Sequence, residues 1–244
     1  MPPRQVPAAP DLADRLDALD WTSLSATLDA RGFATTGSLL TPTECAGLVA
    51  LYDQSALFRS HIHMARHGFG QGEYKYFARP VPPIVETLRE HLYPRLAAVA
   101  NRWQAMLGLG ARYPDALADW LARCHAAGQT RPTPLLLKYG PGDWNALHRD
   151  LYGDLVFPLQ TTIMLSDPAT DFSGGDFMLM EQRPRMQSRG EVVPLAQGEA
   201  LILAVNERPV RGSRGHYRTA MRHGVSTLRS GQRFTMGLIF HDAA

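Results

Sequence analysis

The sequence predicts an α+β fold in which a helix-rich N-terminal half packs against a β-rich C-terminal half. Before residue 134, apolar residues recur at helical spacing in four segments. After residue 134, short apolar runs alternate with clusters of Gly, Pro, Asp and Asn, and no helical period exceeds two turns. Many short strands separated by turn signals are typical of a β-sandwich or a barrel.

The N-terminal half begins with residues 1–10, which are rich in proline and are predicted to be flexible. Gly32 is a natural stop for the first helix, and a short strand is expected directly after it. Thr41 and Glu44 form the pattern of a capping box at the start of the second helix. Two strands joined by a glycine-rich turn are expected within residues 57–80. The four predicted helices are 11–31, 41–52, 83–107 and 115–127.

The C-terminal half is predicted to contain six strands bounded by turn residues. They are 135–139, 157–165, 175–180, 200–205, 216–221 and 234–241.

Composition is that of an ordinary globular protein, with 45% hydrophobic and 20% charged residues in 244. No run of 18 apolar residues occurs, so no transmembrane helix is expected, and the first residues lack the apolar core of a secretory signal. Cys45 and Cys124 are too few for a disulfide framework and suit a reducing cytoplasm. A cytoplasmic location is therefore expected.

The charge is unevenly distributed along the chain. Between Gln182 and Arg233 there are ten arginines but three acidic residues, whereas the rest of the chain has more acidic than basic residues. This segment could attract an anionic partner such as nucleic acid. An equally weighted interpretation is that these arginines are scattered over solvated strands and turns.

A candidate metal site consists of His148, Asp150 and His223. His148 and Asp150 stand two residues apart in an apparent strand, so both side chains should project from one face. One carboxylate and two imidazoles are the ligand set of a facial triad, which holds Fe(II) and leaves coordination positions open. His216 and His241 compete for the place of His223, but only His223 has an arginine ten residues further on.

The chain from His223 to Arg233 reads HGVSTLRSGQR and resembles the end of the catalytic core in prolyl-hydroxylase-like members of the Fe(II)/2-oxoglutarate-dependent dioxygenases. The resemblance implies that Arg233 binds the distal carboxylate of 2-oxoglutarate and that Thr235 assists it. Arginine is suited to this task because it pairs with a carboxylate through two hydrogen bonds. Arg229 is the alternative anchor. The run GGDF at 174–177 resembles a strand common in these cores.

A second stretch, from Tyr139 to Asp150, resembles the corresponding segment of the AlkB-type nucleic-acid dealkylases. That resemblance implies that Tyr139 hydrogen-bonds 2-oxoglutarate. The match departs from the family at Leu137, where the AlkB-type enzymes carry Asn. The chain from Tyr139 onward is also similar to an uncharacterised bacterial family of 2-oxoglutarate oxygenases linked to repair of alkylated nucleic acid.

Together these resemblances imply a double-stranded β-helix, or jelly roll, as the core, with the N-terminal and inserted helices packed on its sheet. One domain is expected over 11–244, with a helical and β extension at 11–133 and the catalytic core at 134–244. The size of the chain also permits two small domains. The implied cofactor is Fe(II), with 2-oxoglutarate and O2 as cosubstrates.

The implied reaction is hydroxylation of a C–H bond with release of succinate and CO2. One hypothesis for the substrate is alkylated single-stranded nucleic acid, which would be demethylated. Alternatives are a protein side chain, an amino acid or a small metabolite, and more remotely a jelly-roll sensor that binds metal without catalysis. For the first hypothesis, the phosphate-contact candidates are Arg183, Arg185 and Arg189. Core packing competes with base stacking for the candidate aromatic residues Tyr74, Tyr76, Phe77, Trp144 and Tyr152.

Overall fold

A computed structural model describes residues 10–110 and 112–244. The predicted flexible segment 1–10 lies outside this part except for its last residue. The described residues form the helices α1 (Leu12–Asp17), α2 (Trp21–Arg31), α3 (Pro42–Leu51), α4 (Pro83–Met106) and α5 (Leu117–Ala126). None of these described helices combines the length and hydropathy needed to span a membrane.

The helices agree with the predicted ones except in the first segment, where two helices replace one. Asp20 interrupts the helical period because its side chain accepts a hydrogen bond from the Ser23 backbone N–H and so begins α2 as a cap. Gly32 ends α2 with a φ of 80°, which an L-residue rarely adopts. The predicted capping box between Thr41 and Glu44 is present at the start of α3.

Fifteen strands occur in the described residues. They are β1 (Phe33–Ser38), β2 (Phe58–His63), β3 (Gly70–Gln71), β4 (Glu73–Phe77), β5 (Leu135–Tyr139), β6 (Trp144–His148), β7 (Leu159–Met164), β8 (Phe172–Gly174), β9 (Phe177–Gln182), β10 (Arg189–Val193), β11 (Glu199–Ala204), β12 (Glu207–Gly212), β13 (Gly215–Val225), β14 (Leu228–Gly231) and β15 (Arg233–Ile239).

These strands build two main antiparallel sheets and one small one. The larger sheet has the order β1-β11-β7-β15-β5-β4-β2, and the smaller one has the order β10-β9-β13-β6-β3 with β12 paired to β13. Strands β8 and β14 pair separately. Strands from both halves of the sequence join the larger sheet, which confirms an α+β fold with a mixed core.

The central strands β7, β11 and β15 of the larger sheet are buried on both faces. On β15, Phe234, Met236 and Leu238 point to the helices and pack in the main hydrophobic core, which includes the buried apolar residues of α4. Arg233 and Thr235 alternate with them and therefore face the other sheet. Period-two alternation thus explains how an apolar strand can present two polar side chains to the space between the sheets.

The predicted strand carrying both His148 and Asp150 is wrong in one respect: β6 ends at His148, and Asp150 lies in the loop beyond it. The reason is competition for an edge of β13. One edge of β13 pairs with β9 from Ala220 onward. The opposite edge is shared: β6 pairs with it at His223, and β12 pairs with it at Ala220 through Glu207. Strand β12 therefore leaves β6 no partner after His148.

Two glycine-rich predictions also need correction. The connection between β2 and β4 is longer than a simple turn, because it contains a 3-10 helix at Met64–His67 and the strand β3, which pairs with β6. The run at 174–177 is not one continuous strand, because it spans the end of β8 at Gly174 and the start of β9 at Phe177, and Gly174 and Gly175 have φ values of 72° and 64°. A side chain at Gly174 would collide with the Thr227 carbonyl oxygen.

Gly224→Ala is expected to destabilise the protein and to separate β13 from β6. The new Cβ would lie 2.7 Å from the Asn145 carbonyl oxygen and 3.1 Å from that of Ala146, and backbone cannot move aside easily. Overpacking of this kind costs about 1–3 kcal/mol. Urea unfolding measures the loss. Gly190→Ala in β10, where nothing lies within 4 Å of the new Cβ, is the control, and equal stability of the two variants would contradict the prediction.

Candidate active site

Two histidines face each other across the β6–β13 pair. His148 and His223 are register partners, and their ring centroids lie 4.3 Å apart. The Nδ1–H of His148 donates to the Ala146 carbonyl oxygen at 2.7 Å, which leaves Nε2 of this ring free to bind a metal ion. His223 is almost fully buried, and the ring of Phe177 stacks on it at 5.8 Å.

Asp150 completes the cluster although it lies outside the strand. Its Oδ1 is 3.5 Å from Nε2 of His148, and its Oδ2 is 3.2 Å from Nε2 of His223. Ligand atoms of all three residues lie within 4.8 Å of one another, close enough to hold one metal ion. The structure therefore brings together the three residues that the sequence singled out.

The protonation of the cluster follows from burial and mutual contact. Burial opposes a charge on Asp150, but hydrogen bonds from His148 and His223 hold its pKa well below the usual value. Burial also lowers the pKa of His223, and the neighbouring His148 lowers it further. An ionised carboxylate beside a neutral imidazole is the state that a divalent metal ion requires.

Two residues that support the cluster were not predicted in this role. The hydroxyl of Tyr152 donates to Oδ1 of Asp150 at 2.6 Å and so fixes the orientation of the carboxylate. The side-chain amide nitrogen of Gln160 lies 3.1 Å from Nε2 of His223. Both residues lie in stretches that resemble the uncharacterised bacterial oxygenase family, but no sequence signal assigned either of them a contact with the cluster.

The second half of the site lies on the larger sheet. Arg233 of β15 pairs in register with Tyr139 of β5, and its guanidinium carbon lies 5.5 Å from the Tyr139 ring centroid. Arg233 is fully buried, and none of its three guanidinium nitrogens has a hydrogen-bond partner among the described residues. Burial lowers the pKa of Arg233 to about 10, so the side chain keeps its charge at neutral pH.

Tyr139 and Thr235 also face this space. Tyr139 is fully buried, and its hydroxyl lies 3.4 Å from the side-chain nitrogen of Asn145. Thr235 is nearly as buried and shares its face of β15 with Arg233. Gly175 allows the close approach of Arg233, because a Cβ there would lie 3.0 Å from the arginine Cδ.

The competing residues lie elsewhere. Arg229 is exposed on β14, and His216 is exposed at the start of β13. His241 is fully buried, where its Nδ1 accepts a hydrogen bond from the Phe157 backbone N–H at 3.2 Å. None of the three lines the cavity that contains the His–Asp–His cluster.

A cavity of about 360 Å³ between the two sheets joins the halves of the site. His148, Asp150 and His223 line it together with Arg233, Tyr139 and Thr235. Most of the remaining lining is apolar, and three exposed residues border it: Phe69, Arg149 and Leu151. A metal ion at the cluster and an anion at Arg233 would therefore share one pocket with an open side.

The candidate stacking residues divide into two groups. Phe77 is fully buried in the main core, and Tyr76 is nearly so, which leaves neither available to a substrate. Tyr74 and Tyr152 line the cavity, and Trp144 is 40% exposed. Phe69, which sequence reasoning did not name as a stacking candidate, lines the same cavity and is 48% exposed.

Residues 72–243 match the model of a known protein family. That family, Oxygenase-NA, is described as an oxygenase catalysing oxidative methylation of damaged DNA. The chain belongs to this oxygenase family. It is also 59% identical over 168 residues, 69% of this chain, to an uncharacterised protein from two strains of Mycobacterium tuberculosis, 72% of whose length is covered.

Solved structures show the same fold at low sequence identity. A prolyl-4-hydroxylase from Pseudomonas putida aligns with a TM-score of 0.55 at 11% identity, over 92% of this chain and 99% of its own. An oxidoreductase of the 2OG-Fe(II) oxygenase family from Burkholderia pseudomallei aligns at 0.53 and 16%, over 92% and 93%. The predicted jelly-roll core is confirmed by this likeness.

The residues present fit the cofactor of this class. Two imidazoles and one carboxylate are the donor set that Fe(II) takes in facial triads. The buried guanidinium of Arg233 lacks the anionic partner that such a group normally has. The protein thus belongs to an oxygenase family, and its His–Asp–His cluster has the donor set of an Fe(II) site.

The burial of His241 predicts a pH dependence of stability. Burial lowers the pKa of this ring to about 4, whereas an unfolded histidine titrates near its ordinary value of 6.5. Between these two pKa values the unfolded chain therefore binds a proton at His241 and the folded protein does not. The free energy of unfolding falls as the pH drops from 6.5 toward 4. This residue should cost about 2 kcal/mol at pH 5 relative to pH 7.

Urea unfolding at both pH values, on the wild type and on His241→Gln, measures this effect. Glutamine keeps an acceptor for the Phe157 backbone N–H but does not titrate. The unfolding free energy of the wild type should fall between pH 7 and pH 5 by about 2 kcal/mol more than that of the variant. Equal losses in the two proteins would contradict the prediction.

Proposed function

We propose that this oxygenase removes N-alkyl groups from the bases of single-stranded nucleic acid by hydroxylating the carbon attached to nitrogen. His148, Asp150 and His223 would hold the iron, and Arg233 would hold the distal carboxylate of 2-oxoglutarate. The observation that carries the proposed site is the cavity shared by the His–Asp–His cluster and a buried, unpartnered arginine. The family description, which names damaged DNA, supports the substrate class.

Each protein group has a defined task in this proposal. The hydrogen bond from His148 to the Ala146 carbonyl directs the free ring nitrogen into the cavity. Tyr152 holds one oxygen of Asp150 and so keeps the carboxylate turned toward both histidines. Arg233 would supply the charge that pairs with a carboxylate in the buried part of the cavity, and Tyr139 and Thr235 border the same space.

When bound, iron and 2-oxoglutarate supply the oxidising chemistry that inserts oxygen into a C–H bond, with succinate and CO2 as by-products. The apolar walls of the cavity exclude bulk water from this reaction. A hydroxylated N-methyl group then leaves as formaldehyde, which restores the unmodified base.

Contacts to the nucleic acid are proposed at the open side of the cavity. Phe69 borders the cavity there with an exposed aromatic ring, and Trp144 offers a second exposed ring outside the cavity lining. Stacking on such rings contributes about 1–3 kcal/mol per base. Arg149 is exposed beside His148 and donates one hydrogen bond from Nη1 to Asn206, which leaves Nε and Nη2 available for a phosphate.

The three phosphate-contact candidates differ in availability. Arg183 donates to Glu181 at 2.6 Å, so part of its hydrogen-bonding capacity is already used. Arg185 and Arg189 are exposed in and after the β9–β10 loop. We propose these two, with Arg149, as the cations of the nucleic-acid surface.

A second candidate function is hydroxylation of a protein side chain, an amino acid or a small metabolite. It is favoured by the spacing of ten residues between His223 and Arg233, which resembles that of the prolyl-hydroxylase-like enzymes. An assay that follows succinate and formaldehyde together separates the two candidates.

Arg233→Ala is expected to weaken 2-oxoglutarate binding by roughly ten- to a hundredfold, because a charge-assisted hydrogen bond contributes about 1.5–3 kcal/mol. Arg229→Ala is the matched control, since this exposed arginine lies outside the cavity. The KM for 2-oxoglutarate in both variants gives the comparison. A larger effect at Arg229 would mean that Arg233 is not the anchor.

The substrate assay follows succinate and formaldehyde together, with Fe(II), ascorbate, 2-oxoglutarate and N-methylated single-stranded DNA. Equal amounts of the two products, formed only with methylated DNA, are expected. His148→Ala and Asp150→Ala should form neither product, because each removes one ligand of the cluster. Succinate without formaldehyde, at the same rate with or without DNA, would reject the nucleic-acid substrate while leaving the oxygenase site intact.

A further inference from the structure

A second cluster of metal-binding side chains lies outside the cavity, at the edge of the larger sheet. His61 and His63 project from β2, and Glu73 projects from the neighbouring strand β4. Ligand atoms of the three residues lie within 4.8 Å of one another. Nε2 of His61 is 2.6 Å and Nδ1 of His63 is 3.8 Å from the same carboxylate oxygen, Oε2 of Glu73.

The strand geometry brings these side chains together. His61 and His63 are two residues apart on β2, so they share one face, and their ring centroids lie 4.4 Å apart. His63 pairs in register with Glu73, which places the carboxylate directly opposite. No main-chain movement is needed for the three groups to meet at one point.

Two lysines lie near the cluster and must be considered, because a cation close by opposes metal binding. Lys138 contacts the other carboxylate oxygen, Oε1 of Glu73, at 3.4 Å. Lys75 donates to the Tyr52 carbonyl oxygen at 2.9 Å, with its ammonium over the Tyr52 ring. Lys138 thus pairs with the oxygen of Glu73 that does not contact the two imidazoles, and Lys75 is engaged by Tyr52.

The location of the cluster gives it a consequence for the active site. Residues 64–72 leave the sheet after His63 and return just before Glu73, and the Met64 backbone N–H donates to the Gly72 carbonyl oxygen at 3.0 Å to close this excursion. The excursion carries β3, which pairs with β6, and Phe69, which borders the cavity. The cluster therefore spans the base of the segment that forms part of the cavity mouth.

We infer that His61, His63 and Glu73 bind Zn²⁺ through three protein ligands and that the bound ion holds the base of the 64–72 excursion. Two imidazoles and one carboxylate are ligands that Zn²⁺ accepts, and a water molecule can complete a tetrahedral arrangement because the side chains of His61 and His63 are 38% and 45% exposed. This inference is independent of the proposed substrate.

The test counts Zn²⁺ equivalents bound by equilibrium dialysis, using full-length protein in which Asp150→Ala and His223→Ala have removed the cavity cluster. One equivalent is expected. Adding His61→Ala and His63→Ala should abolish it, whereas adding His67→Ala and His216→Ala, which remove two exposed histidines outside both clusters, should retain it. Circular dichroism verifies that each protein is folded.

Hydrogen exchange supplies the second measurement. Zn²⁺ should slow amide exchange across residues 64–72 in the protein with intact His61 and His63. In the protein with His61→Ala and His63→Ala, Zn²⁺ should not change the exchange rate of these amides. No bound Zn²⁺ in the cavity-deficient protein, or binding that survives loss of both histidines, would overturn the site. Binding without slower exchange would overturn its role in holding the excursion.

Discussion

The pairing of β6 with β13 is the constraint on which the rest of the site depends. It sets two imidazoles opposite each other and, because β12 occupies the adjoining edge of β13, it releases the chain from the sheet directly after His148. Asp150 can then turn toward both rings from the loop. A carboxylate in a continuing strand would keep the fixed spacing of the pleat, whereas a loop residue can adjust to the position that two histidines require.

The two main sheets divide the chemistry between them. The smaller sheet, with the loop after β6, supplies the His–Asp–His cluster, and the larger sheet supplies Arg233 and Thr235. Sheet separation thus fixes the distance between the His–Asp–His cluster and the guanidinium of Arg233. The helices packed on the outer face of the larger sheet hold that separation, which gives the helical half of the chain a role in the site without direct contact.

Helix ends that depend on neighbouring residues were predicted correctly from the sequence. The capping box at Thr41 and the stop at Gly32 depend on neighbouring residues alone, and both are present. Strand ends and connections that depend on distant strands were not predicted. The end of β6 depends on β12, about 60 residues away in sequence, and the excursion bearing Phe69 depends on β6. No pattern near His148 or Phe69 carries that information, so the loop position of Asp150 and the aromatic residue at the mouth could not be predicted.

The buried guanidinium of Arg233 also has a consequence for the stability of the free protein. A charge removed from water without a protein partner lowers that stability, and an anion that pairs with it restores it. If Arg233 holds 2-oxoglutarate as proposed, the cosubstrate would be a folding ligand as well as a reactant. Its withdrawal would then enlarge the unfolded fraction of the enzyme, which is the fraction that proteases degrade.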